Sequence, residues 1–276
     1  MKNQAGDSAV IKIPQLERIP FLRHGFGDSS WGEKDLRELA ERLRFRPLFL
    51  NQVHSDVVHF IDEMPQWTLR GDAAVTRLPG LLLVIKTADC LPVFLVEEKK
   101  RLIAAVHCGW KGTSLHVLEK VVLGMKERYD ADPATILAAF GPCIGGACYE
   151  VGEDVRRTFA ESGFPTSLFR PISGRSGKYL FDLSSANRIQ LLKLGVKARN
   201  IFSVDLCTHC NAKYPSYRRD RDDCGRMLSF IGLTAPDLPK GKRPAKRFRE
   251  AHTTRREQDS DLGEKVHRRM SCQGPL

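Results

Sequence analysis

The chain has 276 residues, of which 42% are hydrophobic, so it can form one large folded domain or two small ones. The longest apolar runs are well short of the roughly 20 residues that span a bilayer, and no early apolar segment follows a basic start, which argues against a membrane protein and against a secretory signal peptide. We therefore expect a soluble, cytoplasmic protein.

The excess positive charge is concentrated near the end of the chain. The net charge is +11, and residues 240–276 contain 11 Lys or Arg against 5 Asp or Glu, which is +6 of that total. Few large apolar residues occur in this segment, so it cannot bury a core and is predicted to be disordered. We divide the chain into a folded domain at 1–239 and a basic tail at 240–276. The tail is interpreted as a solvated extension, with nucleic-acid contacts that are non-specific at most.

The first half of the domain contains one helical pattern followed by several strand patterns. Residues 34–44, KDLRELAERLR, place apolar side chains at helical spacing. Short apolar and branched runs, typical of buried strands, follow at 48–53, 57–61, 81–87, 91–97 and 102–108.

The second half alternates helices and strands around a glycine-rich loop. A helix opened by Thr113 or Ser114 precedes the apolar run 136–140 and the loop GPCIGGACYEVG, which is interpreted as a tight connection. Helices are predicted from about Glu153 to Ala160 and from Ser184 to Leu194, and strands at 201–206 and 227–233. This order lacks the strict rhythm of a doubly wound fold. We predict an α/β protein with a single mixed-sheet, layered sandwich domain.

Three side chains with metal-binding chemistry lie at or near the ends of β-like runs. They are His54 in NQVHSDVV, Cys90 in TADC and His107 in AVHCGWKG. Two imidazoles and a thiolate suit zinc, and three protein ligands leave a fourth position for water or substrate, as in catalytic zinc sites. A single buried His or Cys is more often a packed core residue than a ligand, so spacing alone makes this a modest signal.

Several motifs occur together and in one order, which strengthens the metal-site interpretation. They are NQVHSDVV, GDAAVT, TADCLPVFL, AVHCGWKGT, GPCIGGACYEVG, CTHC and YPSYRRD with a following GRM. The chain resembles, from about His24 to Leu233, the purine nucleoside phosphorylase family long labelled multicopper polyphenol oxidase or laccase-domain proteins. The resemblance implies that His54, Cys90 and His107 are zinc ligands, and their intervals of 36 and 17 residues fit the family pattern. It also implies a fold like that of cysteine-hydrolase toxin domains.

The resemblance implies two reactions at one site. Members of this family phosphorolyse adenosine, inosine, guanosine and methylthioadenosine, and deaminate adenosine. The substrates expected here are therefore purine nucleosides and phosphate. Arg218 and Arg219 are the phosphate candidates, because an arginine fork suits phosphate better than a lysine does, and Lys111 is a weaker third.

Other polar residues of the motifs are assigned supporting roles. Gln52 and Asp72 match polar positions of the family motifs and are candidates to orient His54 or the substrate. Asp89, next to the proposed catalytic Cys90, is a candidate general base, although strand alternation would turn it to the opposite face. In CTHC, Cys207 and Cys210 form a C-x-x-C pair with no second pair to complete a zinc ribbon, so a packing role is favoured.

Three alternative functions remain open from the sequence. A copper-binding polyphenol oxidase would use the His, Cys, His set for copper, but the chain has 8 His and no His-x-His pair, which a multicopper site commonly contains. A metal-free thiol hydrolase would use Cys90 as nucleophile and His107 as base. A non-enzymatic binding module would use the tail as its contact arm.

Overall fold

The computed structural model describes residues 9–235, and the predicted tail lies outside them. Seven helices, α1–α7, are found in these residues, at Pro14–Glu17, Glu33–Leu43, Trp110–Ser114, Val117–Tyr129, Glu153–Glu161, Leu183–Lys193 and Tyr217–Asp220. The strands β1–β14 lie at Val10–Ile11, Leu22–Gly27, Arg46–Phe49, Val58–Ile61, Ala73–Thr76, Leu81–Thr87, Leu91–Glu97, Leu102–Cys108, Leu137–Phe140, Glu150–Gly152, Phe169–Pro171, Lys178–Phe181, Ile201–Ser203 and Met227–Leu233. None of the helices in this part of the chain is long and apolar enough to cross a membrane.

Two large mixed sheets carry most of the strands. The first has the order β1-β2-β14-β6-β3, with only the β3–β6 pair parallel. The second has the order β13-β9-β7-β8-β5-β4, with parallel pairs at its two edges. A three-stranded antiparallel sheet, β10-β12-β11, completes the set.

The two large sheets pack face to face and are covered by helices on their outer sides. Between them, Phe26 of β2 stacks on Phe94 of β7 with ring centroids 4.7 Å apart. The outer face of the first sheet packs against α2, whose Leu36 and Ala40 are buried there. The outer face of the second sheet packs against α4, α5 and α6. The architecture is thus a four-layer sandwich with helices outside and sheets inside.

The predicted layered α/β organisation is confirmed, with the strands in two large mixed sheets and a small antiparallel one. One predicted helix is corrected. The helix expected to begin at Thr113 or Ser114 is instead two helices, because His116 adopts a left-handed φ of 62° between α3 and α4. The likeness to cysteine-hydrolase toxin domains stays a prediction.

The connection between the two sheets places the predicted site. Strand β6 belongs to the first sheet and ends at Thr87, whereas β7 begins at Leu91 in the second sheet. The intervening residues 88–90 therefore cross from one sheet to the other. Asp89 in this crossing has a φ of 82°, a conformation that strands do not use.

Candidate metal centre and its pocket

Strand pairing brings two of the predicted ligands together. In the β7–β8 pair, Pro92 lies opposite His107, so Cys90, the residue just before β7, is close to the His107 side chain. The third ligand, His54, lies in the loop that precedes β4. Its φ of 58° is left-handed, an uncommon conformation for a residue other than glycine. The three predicted metal ligands thus come from two adjacent strand ends and one loop.

The donor atoms of these three residues converge on one point. The candidate ligand atoms of His54, Cys90 and His107 all lie within 4.8 Å of one another. The two imidazole rings have centroids 4.8 Å apart and meet edge to face. His107 is buried, Cys90 is half-buried and His54 is exposed, so the cluster is open to solvent on the His54 side.

Asp72 fixes the orientation of both histidines from beneath the cluster. Its carboxylate accepts a hydrogen bond from His107 Nδ1 at 2.7 Å and from the His54 backbone N–H at 3.0 Å. The backbone N–H and hydroxyl of Ser55 donate to the same carboxylate, each at 2.6 Å. Burial alone would raise the pKa of Asp72, but the hydrogen bonds from His107 and Ser55 hold it well below its usual value.

The position of Asp72 corrects its predicted contact with substrate. The residue is 0% exposed, so a bound nucleoside cannot reach it. Because its carboxylate holds Nδ1 of His107, the Nε2 atom of that ring is left for a metal ion. Asp72 is a positioning residue for the histidines.

The thiol and the buried imidazole shift each other's pKa strongly. Burial would raise the pKa of Cys90, but the charge and hydrogen bonds of His107 and His54 lower it to about 6. Burial would lower the pKa of His107, but the Cys90 thiolate and Asp72 raise it to about 9. The arrangement therefore favours a thiolate at neutral pH, which is the form that binds metal or acts as a nucleophile.

The residues present fit a zinc ion. One thiolate and two imidazoles are a normal donor set for catalytic zinc, and a carboxylate-bound histidine is the usual support of such a ligand. Gly109 helps to leave room at the cluster, because a Cβ atom there would lie 2.7 Å from His54 Nδ1 and 3.1 Å from Cys90 Sγ. Any larger residue at position 109 would displace these donors.

We expect Asp72→Asn to lower metal affinity by about 10- to 100-fold, the range for loss of a residue that supports a ligand. The Asn amide lacks the negative charge that attracts His107. It also has only one acceptor oxygen, whereas the donors of Ser55 and His107 now bond to two different carboxylate oxygens. Competition with a chromophoric chelator measures the loss. Asp56→Asn is the matched control, since that nearby carboxylate pairs with Lys120 and is not bonded to either histidine. Wild-type affinity in the Asp72→Asn protein would contradict this role.

A pocket of about 640 Å³ opens beside the cluster. This volume is in the range of small-molecule sites. Aromatic and basic side chains lie around the opening, and the lining residues that the sequence analysis did not single out include Lys86, Trp110, Tyr149, Tyr217 and Arg226. Most of them lie inside the motifs AVHCGWKGT, GPCIGGACYEVG and YPSYRRD, so membership of a motif was the sequence feature that could have pointed to them. That they all face one pocket depends on the tertiary fold.

The two neighbouring arginines have different environments. Arg218 lines the pocket, and its guanidinium lies 5.4 Å from the Tyr149 ring centroid. The Arg219 guanidinium donates to the carbonyl oxygens of Thr208, His209 and Tyr214 and to the Asp220 carboxylate. Since these four partners use its donors, Arg219 is a structural residue. The predicted phosphate contact of Arg219 is therefore corrected.

Asp89 is used by the fold in a way that the sequence did not indicate. Its carboxylate accepts hydrogen bonds from the Thr208 hydroxyl and from the backbone N–H of Arg218, both at 2.6 Å. Its own carbonyl oxygen accepts from the Ile144 N–H at 2.9 Å. Asp89 therefore joins the crossing segment 88–90 to the start of α7. Each carboxylate oxygen accepts one of these bonds and keeps a further acceptor site, and Asp89 also lines the pocket, so its role as a general base stays a prediction.

Gln52 and Lys111 are the two remaining residues that the sequence suggested as substrate contacts. The Gln52 side chain makes two hydrogen bonds with the backbone of Lys86, at 2.8 and 2.9 Å, and thereby attaches the His54 loop to β6. It also lines the pocket. Lys111 is exposed on α3, with its ammonium 5.6 Å from the centroid of the Trp110 ring, and its side chain is not part of the pocket lining described here.

Comparison with known proteins identifies the family. Residues 27–234 match the family model described as multi-copper polyphenol oxidoreductase laccase. The chain belongs to this family. Its curated relatives include the purine nucleoside phosphorylase YfiH of Escherichia coli, 37% identical over 226 residues, which are 81% of this chain and 89% of that protein. Another is a purine nucleoside phosphorylase of Clostridium acetobutylicum, 33% identical over 212 residues, 72% of this chain and 83% of that one.

Solved structures of family proteins have the same fold. A crystal structure of the hypothetical protein YfiH of Bacillus licheniformis superposes with a TM-score of 0.75 at 27% identity, covering 82% of this chain and 97% of that one. YlmD of Geobacillus stearothermophilus gives a TM-score of 0.71 at 29% identity, covering 79% and 93%. The predicted family is confirmed, and the names of the relatives support an enzyme. The family name together with the His and Cys cluster supports a bound metal, whose identity these comparisons do not specify.

Proposed function

We propose that the protein is a zinc-dependent purine nucleoside phosphorylase that also deaminates adenosine. Its substrates would be adenosine, inosine, guanosine and methylthioadenosine, each cleaved by phosphate to the free base and a pentose 1-phosphate. One observation carries the proposal: the His54, Cys90 and His107 donors meet at the edge of a pocket lined by aromatic rings and arginine.

The aromatic lining suits the purine base. Trp110, Tyr149 and Tyr217 surround a pocket whose volume of about 640 Å³ accommodates a nucleoside. Flat rings stack favourably on aromatic faces, and a pocket of this kind discriminates little between adenine and guanine. This supports a purine nucleoside as the substrate class and a broad range within it.

The basic lining suits phosphate. Arg218 lies at the pocket with its guanidinium over Tyr149, and Arg226 provides a second guanidinium at the opening. In phosphorolysis a phosphate oxygen forms a bond to the sugar C1′ while the bond to the purine nitrogen breaks, and the base leaves with a proton. Arginine can hold the phosphate in two-point contact and stabilise its charge.

The metal cluster suits the deamination step. His54, Cys90 and His107 would hold a zinc ion, which would supply Lewis acidity and lower the pKa of a bound water. In deamination, water adds to C6 of the adenine base of adenosine and ammonia leaves, which gives inosine. The chain's own contribution is to hold the His107 ring and the His54 backbone through Asp72 and to place the base next to the cluster.

A second candidate function is supported by the electrostatics of the cluster. The lowered pKa of Cys90, about 6, beside an imidazole is also the arrangement of a thiol nucleophile with its base. Such a metal-free thiol hydrolase would stay active after exhaustive chelation, whereas the proposed zinc enzyme would not. Copper in place of zinc would be distinguished by metal analysis and the absorbance spectrum of the purified protein.

The test is incubation with adenosine, with and without inorganic phosphate, followed by separation of the products. We expect adenine and ribose 1-phosphate only when phosphate is present, inosine without phosphate, and inosine together with hypoxanthine, its phosphorolysis product, when phosphate is present. A chain ending at Pro239 is expected to give the same products, because we propose that residues 240–276 take no part in turnover. If adenosine stays unchanged in every condition with metal-loaded protein, the proposed function is wrong.

A further inference from the structure

Three cysteines outside the first cluster also come together. Cys148 lies in the loop between β9 and β10, and Cys207 and Cys210 lie in the turn after β13. Their sulfur atoms all lie within 4.8 Å of one another, and Cys148 Sγ is 3.1 Å from Cys210 Sγ. The C-x-x-C pair that lacked a partner in the sequence thus gains a third thiol from a loop about 60 residues earlier in the chain.

Backbone contacts hold the two loops in this arrangement. The N–H of Cys143 donates to the carbonyl of Leu206 at 3.2 Å, and the N–H of Thr208 donates to the carbonyl of Cys143 at 3.0 Å. The N–H of Gly145 donates to Cys207 Sγ at 3.2 Å. A Cβ atom at position 145 would lie 3.3 Å from that sulfur, so glycine allows this close approach.

The spacing of the sulfurs agrees with ligation of one ion. Zinc–sulfur bonds of about 2.3 Å in tetrahedral geometry place two sulfurs about 3.8 Å apart. The Cys148 and Cys210 sulfurs are closer than this, at 3.1 Å, and all three sulfurs lie within 4.8 Å of one another, so small side-chain movements would bring them to this spacing. A disulfide would join only two of the three thiols. Cys210 is exposed and the other two are half-buried, so an ion can reach the cluster from solvent.

We propose that Cys148, Cys207 and Cys210 form a second metal site, in which three thiolates bind a thiophilic divalent ion such as Zn²⁺. Three thiolates with a fourth position for water satisfy the tetrahedral preference of this ion. The inference does not depend on the proposed nucleoside chemistry, since it rests on a separate set of ligands.

One of these loops lines the pocket and the other is bonded to residues beside it, which gives the second site a role. Cys148 precedes Tyr149, which lines the pocket. Cys207 precedes Thr208, whose hydroxyl donates to Asp89 and whose carbonyl accepts from Arg219. An ion at the three thiolates would join these loops and hold Tyr149 and α7 in place. The second site is therefore expected to be structural.

Metal titration of the full-length, reduced and metal-free protein tests the inference. Co²⁺ is the probe, because its thiolate complexes show charge-transfer bands whose strength follows the number of thiolates. We expect about two ions per wild-type chain and about one in Cys90→Ser, where the remaining ion should retain strong thiolate bands. Cys210→Ser and Cys148→Ser should each bind about one ion and lose most of the band intensity. Cys224→Ser, a free thiol outside the cluster, is the matched control.

The outcomes separate this inference from the first site. A Cys90→Ser protein that binds no Co²⁺ overturns the second site, as does a Cys210→Ser protein with wild-type stoichiometry and spectrum. Circular dichroism and the melting temperature show that each variant is folded. A failure of nucleoside turnover in the metal-loaded wild type would contradict the proposed function and leave the titration result unchanged.

Discussion

Cys90→Ser should remove most of the metal at the first site and lower nucleoside turnover by at least about 100-fold, while the protein stays folded. The loss of a residue that only supports a ligand costs about 10- to 100-fold, and the loss of a ligand itself should cost at least the upper value. A serine hydroxyl does not ionise near neutral pH and is a poor ligand for a borderline-soft ion. Metal content by elemental analysis and initial rates with adenosine measure the two effects.

Cys108→Ala is the matched control for this variant. Cys108 lies on β8 one residue after His107, is fully buried in the core cluster and has a pKa raised well above its usual value by burial. It faces away from the donors, so its removal should leave metal content and turnover close to wild type. Full metal occupancy in Cys90→Ser would refute the ligand assignment. Full occupancy with no turnover would instead favour a thiol nucleophile.

The three candidate metal ligands could be singled out from the sequence because two of them lie at strand ends. Cys90 and His107 are joined by the register of two adjacent strands, and each is recognisable at the end of an apolar run. His54 was less evident from local pattern, because its loop has no regular structure and its position depends on the carboxylate of Asp72. The family motifs supplied that third ligand.

The partners of the polar groups could not be predicted in the same way. The sequence shows that an Asp carries a carboxylate, but it does not show which hydrogen-bond donors surround that carboxylate in the fold. Asp72 and Asp89 each accept hydrogen bonds from donors that are close in space but at least 17 residues away in the sequence. Adjacent Arg218 and Arg219 could not be separated until α7 showed which of them faces the pocket.

The division of strands into two sheets was also hidden in the sequence. Strand β2, LRHGFG, contains two glycines and two basic residues, so it lacks the apolar pattern of a buried strand. It forms because it pairs with β14, just over 200 residues later in the chain, over five residue pairs. Such long-range pairing is a tertiary effect that overrides local preference. The thiol cluster of Cys148, Cys207 and Cys210 arises in the same way, from two loops held by backbone bonds.

Arg218→Lys should weaken phosphorolysis by about 1.5–3 kcal/mol, roughly 10- to 150-fold in kcat/KM for phosphate, the range for a charge-assisted contact. Lysine keeps the charge but loses the planar two-point contact with phosphate. Deamination of adenosine uses no phosphate, so its rate should stay close to wild type. Both activities are measured on the same protein preparation, with phosphate varied at fixed adenosine.

Arg219→Lys is the comparison variant that shows whether a selective loss of phosphorolysis is specific to Arg218. Its guanidinium holds three backbone carbonyl groups and the Asp220 carboxylate, and one ammonium cannot replace all four contacts. We expect a lower melting temperature and a similar fractional loss of both activities, because the α7 end of the pocket is loosened for every substrate. Equal losses of both activities in Arg218→Lys would remove Arg218 from the phosphate site. The guanidinium of Arg226 would then be the group at the pocket left to bind phosphate.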